Sequence, residues 1–447
     1  MKIAIVGTGI SGLVAAHRLH REHEVVVYEA APRIGGHTHT VAVETEAGTD
    51  WVDTGFIVFN DRNYPRFEAL LAELGVPSQP SHMGFSVADG SGRFEFSGTP
   101  RGLFARRANL FDPRFLRMLR DWRRFNREAP ALIGMNGTAP SLGHWLERQG
   151  FSRWFVERLI VPQASAVWSA DPEQMWSFPA SFLAEFFGNH GMYSLRGRPR
   201  WRTVAGGSRS YVEAIVAPWR DRVRLAAPVR RIERLPGCVR IEADGCESEE
   251  FDQVVIAAHS DQALALLADP SRAEREVLAA IPYQDNEAVL HTDPALMPRR
   301  RPVWSSWNFH LGEQPPGRTT VTYWMNSLQR HLPAGRDYFV TLNRGADVDP
   351  ARVIRRLHYD HPVYTAAGVA AQRRHAEISN AARRTHYCGA YWGWGFHEDG
   401  VVSAERVCEA LAGAGAARQP AAAAADLDLV AAADRPPSTS SPETLAA

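Results

Sequence analysis

Lys2-Ile-Ala-Ile-Val6 runs straight into Gly7-Thr8-Gly9-Ile10-Ser11-Gly12, then into Leu13, Ala16 and Leu19 at helical spacing, and then into Glu24-Val-Val-Val-Tyr28, closed by Glu29. The first and last runs are β-branched and apolar, as in strands buried on both faces. Between them the glycines fall at the spacing of a turn that leads a strand into a helix. Gly7 allows the tight turn, Gly9 lets backbone N–H groups approach a pyrophosphate, and Gly12 lets helix and strand pack closely. The helix N-terminus favours phosphate charge, and Glu29 is placed to accept hydrogen bonds from ribose hydroxyls. This is a dinucleotide-binding unit.

The residues beyond Glu29 indicate which dinucleotide. Arg33-Ile-Gly35-Gly36-His37 supplies a second glycine pair, and Asp53-Thr54-Gly55 supplies a further turn after another β-run. A nicotinamide domain has no need of that extra contact, whereas the longer FAD does. The reading is FAD.

With 447 residues, the chain is long enough for two or three domains. Lys plus Arg and Asp plus Glu are balanced at 50 each, which gives no electrostatic reason to expect nucleic acid. Cys238, Cys246, Cys388 and Cys408 show no paired spacing, so no metal site is expected and free thiols in a reducing compartment are the simpler reading. No run approaches the roughly 20 apolar residues of a membrane span, and the N-terminus lacks the marks of a signal peptide. The expected location is the cytoplasm.

These segments resemble the flavin-containing amine oxidase superfamily, with its desaturases and protoporphyrinogen oxidases. Asp53-Thr-Gly-Phe-Ile-Val-Phe-Asn60, Tyr64-Pro65, Ser81-His-Met-Gly-Phe-Ser-Val87 and Gly395-Phe-His-Glu-Asp-Gly400 are similar to a narrower group. Its members are bacterial flavoproteins encoded beside cyclopropane fatty acid synthases, together with the N-terminal flavin domain of the plant synthases. The resemblance spans about residues 1–412. It implies an α/β fold: a discontinuous Rossmann-like FAD-binding domain (1–96, 201–282 and 383–413) and a mixed α+β substrate domain (97–200 and 283–382). Within the latter, Pro350–Leu357 reads as a helix. Residues 414–447 are Ala-, Pro- and Ser-rich and read as a disordered tail.

The same resemblance carries over the cofactor contacts: Gly7, Gly9, Ile10, Ser11, Gly12, Glu29, Ala30, Arg33, Gly35, Gly36, His37, Thr54, Gly55 and Phe56, with Val229 and Ala257 toward the adenine. At the C-terminal piece they are Gly389, Glu398, Asp399 and Val401. A helix starting near Gly400 should aim its dipole at the flavin. Ala390 follows Gly389 where the family carries an acid, so Glu398 or Asp399 is the substitute for the ribityl contact. Tyr391, Trp394 and His397 are the catalytic candidates, His397 as general base or as a stabiliser of reduced flavin. Covalent attachment through His37 or Cys388 is disfavoured. Many family amine oxidases set a lysine at the flavin, but the only lysine here is Lys2, which turns the expectation toward a desaturase, dehydrogenase or isomerase.

Residues 101–127 hold nine arginines and two aspartates, interleaved with Phe104, Phe111, Phe115, Leu119, Trp122 and Phe125. That pattern suits the surface of an anionic bilayer and equally a helix docked on its own protein. Three readings remain: hydride removal from a lipid acyl chain, oxidation of an amine or porphyrinogen, and a flavin-bound partner of a lipid methyltransferase without turnover.

Overall fold

Lys2–Val6 forms the central strand of a five-stranded parallel sheet in the computed structural model, which describes residues 1–135, 139–194, 197–312 and 318–416. Across the sheet the order is Val223–Arg224, Glu24–Tyr28, Lys2–Val6, Gln253–Ile256 and Thr385–Tyr387. A parallel sheet needs cover on both faces, and the alternation along the strand supplies it. Ile3 and Ile5 face a layer made by helix α1 (Ile10–Leu19) and the helix Arg209–Val216. Ala4 and Val6 face Ile232, Val239, Ile241 and Phe251 on a three-stranded antiparallel sheet. The strand following α1 lies on one side of Lys2–Val6, and Gln253–Ile256 lies on the other. The carboxyl end of Lys2–Val6 is therefore a topological switch point, where α/β sheets open a binding crevice.

The second sheet has seven strands, in the order Val353–Pro362, Tyr283–His291, Phe339–Leu342, Val321–Trp324, Trp307–His310, Phe85–Ala88 and Glu95–Ser97. Two expectations change here. Phe85–Ala88 pairs in parallel with Trp307–His310, and Glu95–Ser97 extends that edge, so the first FAD-domain piece ends before residue 85 rather than at 96. The helix expected over Pro350–Leu357 is a single 3-10 turn, Pro350–Arg352, followed by the long strand Val353–Pro362. Val353, Ile354 and Leu357 have helical spacing, but antiparallel pairing with Tyr283–His291, as in Ala288 opposite Leu357, decides the matter.

The described residues of 98–200 are mainly helical. Helix α2 (Pro65–Glu73) precedes them, and helix α3 (Pro113–Glu128) is the longest element among them. Phe115, Met118 and Phe125 turn one face of α3 into the core, where Phe125 meets Trp145, Phe151 and Phe155. Each such burial stabilises by roughly 1.5–3 kcal/mol. Asp53, at the end of the hairpin Thr40–Thr45/Gly48–Asp53, joins the N-terminus of the helix Arg209–Val216 to Gln329, just after the short helix Met325–Leu328. Its carboxylate accepts from Ser208 N at 3.0 Å and from Gln329 Nε2 at 2.7 Å, while Gln329 Oε1 accepts from Asp53 N at 2.9 Å.

Helix α4 (His397–Ala416) starts three residues before Gly400. It carries on past residue 413, and the tail expected to be disordered otherwise lies outside the described residues. Among the described residues no helix is long and apolar enough to cross a membrane.

Candidate active site

A cavity of about 1220 Å³ starts at the glycine loop, passes the N-terminus of α4 and ends beneath α3. Its first part is built by backbone. A Cβ on Gly12 would lie 1.9 Å from Gly7 O, which is why α1 can leave the strand so closely. Gly36 has φ +56° and brings its backbone against Gly9, where a Cβ would fall 2.9 Å from Gly9 Cα. Gly9 itself has nothing within 4 Å of its missing Cβ, so the space in front of the loop is open. The Glu29 carboxylate accepts from Thr8 N (2.9 Å), from the Thr8 hydroxyl and from Ala31 N (2.8 Å). Arg33 donates to Gly36 O at 2.7 Å and stiffens the second glycine turn. An open cradle over a helix N-terminus with an acid beside it fits a pyrophosphate and a ribose.

Of the residues expected to hold the cofactor, Gly7, Gly9, Ile10, Ser11, Glu29, Ala30, Arg33, Gly35, Gly36, His37, Thr54, Gly55, Phe56, Val229, Ala257 and Gly389 all line this cavity. Gly12 serves in packing. Three others are corrected. Glu398 accepts from Arg66 N (3.0 Å) and Phe67 N (2.9 Å), capping α2. Asp399 accepts from Phe396 N at 2.9 Å and holds the turn into α4, and burial pushes its carboxyl up to about 7. Neither faces the cavity, so neither replaces the missing ribityl acid. The Val401 side chain is fully buried in the core beside α1.

The catalytic candidates separate as well. Tyr391 and Trp394 line the cavity, Trp394 against Phe182 with ring centres 4.0 Å apart. His397 also lines it, but its Nε2 is engaged at 3.0 Å by both Thr38 Oγ1 and Tyr211 Oη, and its ring stacks on Phe56 at 3.4 Å. Burial lowers its pKa to about 3. These contacts make it a positioning group for Phe56 and the start of α4, and the burial that keeps the imidazole neutral argues against the expected roles of general base and of cation for reduced flavin. Cys388 is buried in the core and lies outside the cavity wall.

Sequence reasoning missed what surrounds His37. Its ring is parallel to His361 (5.5 Å, 4°), lies over His259 (5.7 Å) and meets Tyr359 edge-on at 5.2 Å. Burial is the first cause of the lowered pKa values of His37, His259 and His361. These residues come from a turn (His37), a helix N-cap (His259) and the strand Val353–Pro362 (Tyr359, His361), far apart in the chain, and carry no local motif.

Past α4 the wall becomes apolar and aromatic: Met83, Phe85, Val167, Trp168, Phe186 and Tyr323 among others. Only two carboxylates line the whole cavity among the described residues. Glu29 belongs to the glycine loop, and Asp360 sits beside His361.

The sequence profile of flavin containing amine oxidoreductases matches residues 10–337. The chain belongs to this family. Its fold is amine-oxidase-like, and the family is one of flavin-containing oxidoreductases. AofH of Mycobacterium tuberculosis, named as a flavin-containing monoamine oxidase, is 26% identical over 287 residues, which is 60% of this chain and 59% of AofH. An L-amino acid dehydrogenase of Synechocystis is 28% identical over 244 residues, 51% of this chain and 50% of that protein. The chain thus spans between half and three-fifths of the length of these relatives. Cyclohexylamine oxidase from Brevibacterium oxydans shares the fold, with a TM-score of 0.65 at 18% identity, over 92% of this chain and 99% of that one. A conjugated-linoleic-acid-producing fatty acid isomerase from P. acnes does so with a TM-score of 0.64 at 14% identity, over 92% and 97%. FAD supplies hydride acceptance when bound, while this chain's residues bind it, shape the chamber and exclude water.

Proposed function

We propose that this oxidoreductase removes a hydride from a carbon of a lipid acyl chain, one bearing a double bond, a methyl branch or a cyclopropane ring. The observation that carries this reading is the wall beyond α4. It is rich in Phe, Trp, Met and Val side chains, its polar members such as Asn126, Gln163 and His190 are not acids, and among the described residues it offers no carboxylate to meet an alkylammonium ion. An amine substrate brought there would lose hydration without gaining a counter-charge, which costs several kcal/mol. An extended hydrocarbon loses nothing and gains roughly 25 cal/mol per Å² of apolar surface buried. The fatty acid isomerase that shares the fold lends support from a neighbour acting on such a chain. The names of the amine-acting relatives favour amine oxidation as the second reading.

Anaerobic titration of the FAD-loaded protein separates the two. Phospholipids with unsaturated or cyclopropanated chains are expected to bleach the long-wavelength flavin band, and primary amines to leave it unchanged. Bleaching by amines alone overturns the proposal. Lipid analysis of a host with and without this protein, in the presence of a lipid methyltransferase, then identifies the product.

A further inference from the structure

Helix α3 has two faces of opposite character. Inward it buries Phe115, Met118 and Phe125, and Trp122 and Asn126 line the far end of the cavity. Outward it presents Leu116, Arg117, Arg120, Arg123 and Arg127 in one stripe at three- and four-residue spacing. Large exposed apolar side chains are few among the described residues, and most cluster around this helix. Phe111 is 84% exposed, Leu110 45% and Leu116 43% at its start, and Ile133 is 46% exposed just beyond its end. A single exposed leucine needs no account, but such a cluster does.

The charges point the same way. Arg114 pairs with Asp112, Arg117 with Asp121, and Arg124 with Glu128. Arg101, Arg107, Arg120 and Arg123 have no acceptor among the described residues. Segment 101–127 carries a net charge of +7 in a chain whose total is zero. A basic stripe flanked by exposed Phe and Leu is the pattern of a helix lying in the plane of an anionic interface, with its apolar ends in the acyl region and its arginines at the phosphates.

We propose that α3 and the turn before it dock this protein on an anionic lipid bilayer. Phe111 and Leu116 enter the acyl region, while Arg107, Arg120 and Arg123 meet headgroup phosphates. The chamber floor under Trp122 and Asn126 then lies one helix thickness from the lipid, so the acyl chain travels a short apolar path. That last step rests on the acyl-chain reading, whereas docking itself does not. The apolar contribution comes from Phe111 and Leu116, because Phe115 is fully buried and Trp122 faces the cavity.

The test is co-sedimentation of the FAD-loaded protein with vesicles of phosphatidylcholine alone and of phosphatidylcholine mixed with phosphatidylglycerol. Binding is expected to the mixed vesicles and to weaken as salt rises, because the Debye length shrinks from ~10 Å at 0.1 M to ~3 Å at 1 M. Arg120→Gln with Arg123→Gln should weaken binding about 25-fold, from roughly 1 kcal/mol per charge near the surface. Phe111→Ser with Leu116→Ser should weaken the binding that survives high salt. Arg272→Gln, on an arginine 93% exposed and paired with Glu276 elsewhere, should change nothing. All these side chains are on the surface, so flavin absorbance per protein stays constant and reports folding. Equal binding to both vesicle types, binding to neither, or binding unmoved by the paired variants overturns the proposal. Vesicle binding without flavin bleaching by any lipid would sink the acyl-chain reading and leave the docking face standing.

Discussion

Gly400 in α4 packs directly on Ile10 in α1: a Cβ at Gly400 would lie 2.6 Å from Ile10 Cγ2 and 3.0 Å from Ser11 Oγ. The first turns of the two helices therefore meet at the cavity wall, and their positive dipole ends converge where a flavin and its phosphates need negative charge stabilised.

That contact makes the spacing of the two helices testable. Gly400→Ala should force them apart, at a cost of about 1–3 kcal/mol as for other overpacked sites, and should lower the FAD content of the purified protein. Ile10→Ala removes the atom that the new methyl group meets, and in the double variant part of the FAD content should return. Full FAD content in Gly400→Ala alone would show that the spacing does not matter.

Asp399 and Glu398 are assigned to backbone turns and not to the cofactor. Glu398→Gln and Asp399→Asn should each keep one FAD per chain while lowering thermal stability, since losing a helix cap costs ~1 kcal/mol. Loss of FAD from a variant with an unchanged melting temperature would return these acids to the ribityl chain.

His397 is expected to leave no mark on the pH dependence of flavin reduction. With its pKa lowered to about 3 by burial, it stays neutral from pH 5 to pH 9. An inflection near pH 6.5 that disappears in His397→Asn would restore it as an acid–base group. The same variant should lower stability through its lost contacts with Thr38 and Tyr211.

Buried histidines should make the fold sensitive to mild acid. Burial lowers His39, His190, His291, His361 and His386 to about 4 and His310 to about 3. The unfolded chain takes up these protons near 6.5, the folded chain only near 4, so stability falls as pH drops from about 6.5 toward 4. The melting temperature should decline steeply between pH 7 and pH 5, before most carboxylates titrate. A flat profile over that range would contradict the buried, neutral state of these rings.

The glycine loop, Glu29 and the second glycine pair were legible in the sequence because their chemistry depends on spacing within a few residues. The His37–His259–His361 stack was not, since a turn, a helix N-cap and a strand far apart in the chain assemble it. Val353–Pro362 was misread because its apolar residues have helical spacing and its strand partner lies outside any local window. The start of α4 did carry a signal, acids in the first turn at Glu398 and Asp399, which the more visible Gly400 obscured. For segment 101–127, arginines and aromatics alternate so closely that only packing decides which of them are covered. Phe115 proves to be buried and Phe111 exposed.

The central claim is that the cradle formed by Gly7, Gly9 and Gly36 holds FAD without a covalent bond. Gly9 has φ −62° and no atom within 4 Å of its missing Cβ, so Gly9→Val fits the backbone and projects only into the cradle. The deciding measurement is the absorption spectrum of the purified protein and of the supernatant after acid precipitation, taken side by side for the native chain and Gly9→Val. The native protein should be yellow and release FAD quantitatively into the supernatant, and the variant should be colourless with an unchanged circular dichroism spectrum. Flavin retained in the native pellet would contradict the non-covalent site, and a yellow Gly9→Val protein would contradict the cradle itself.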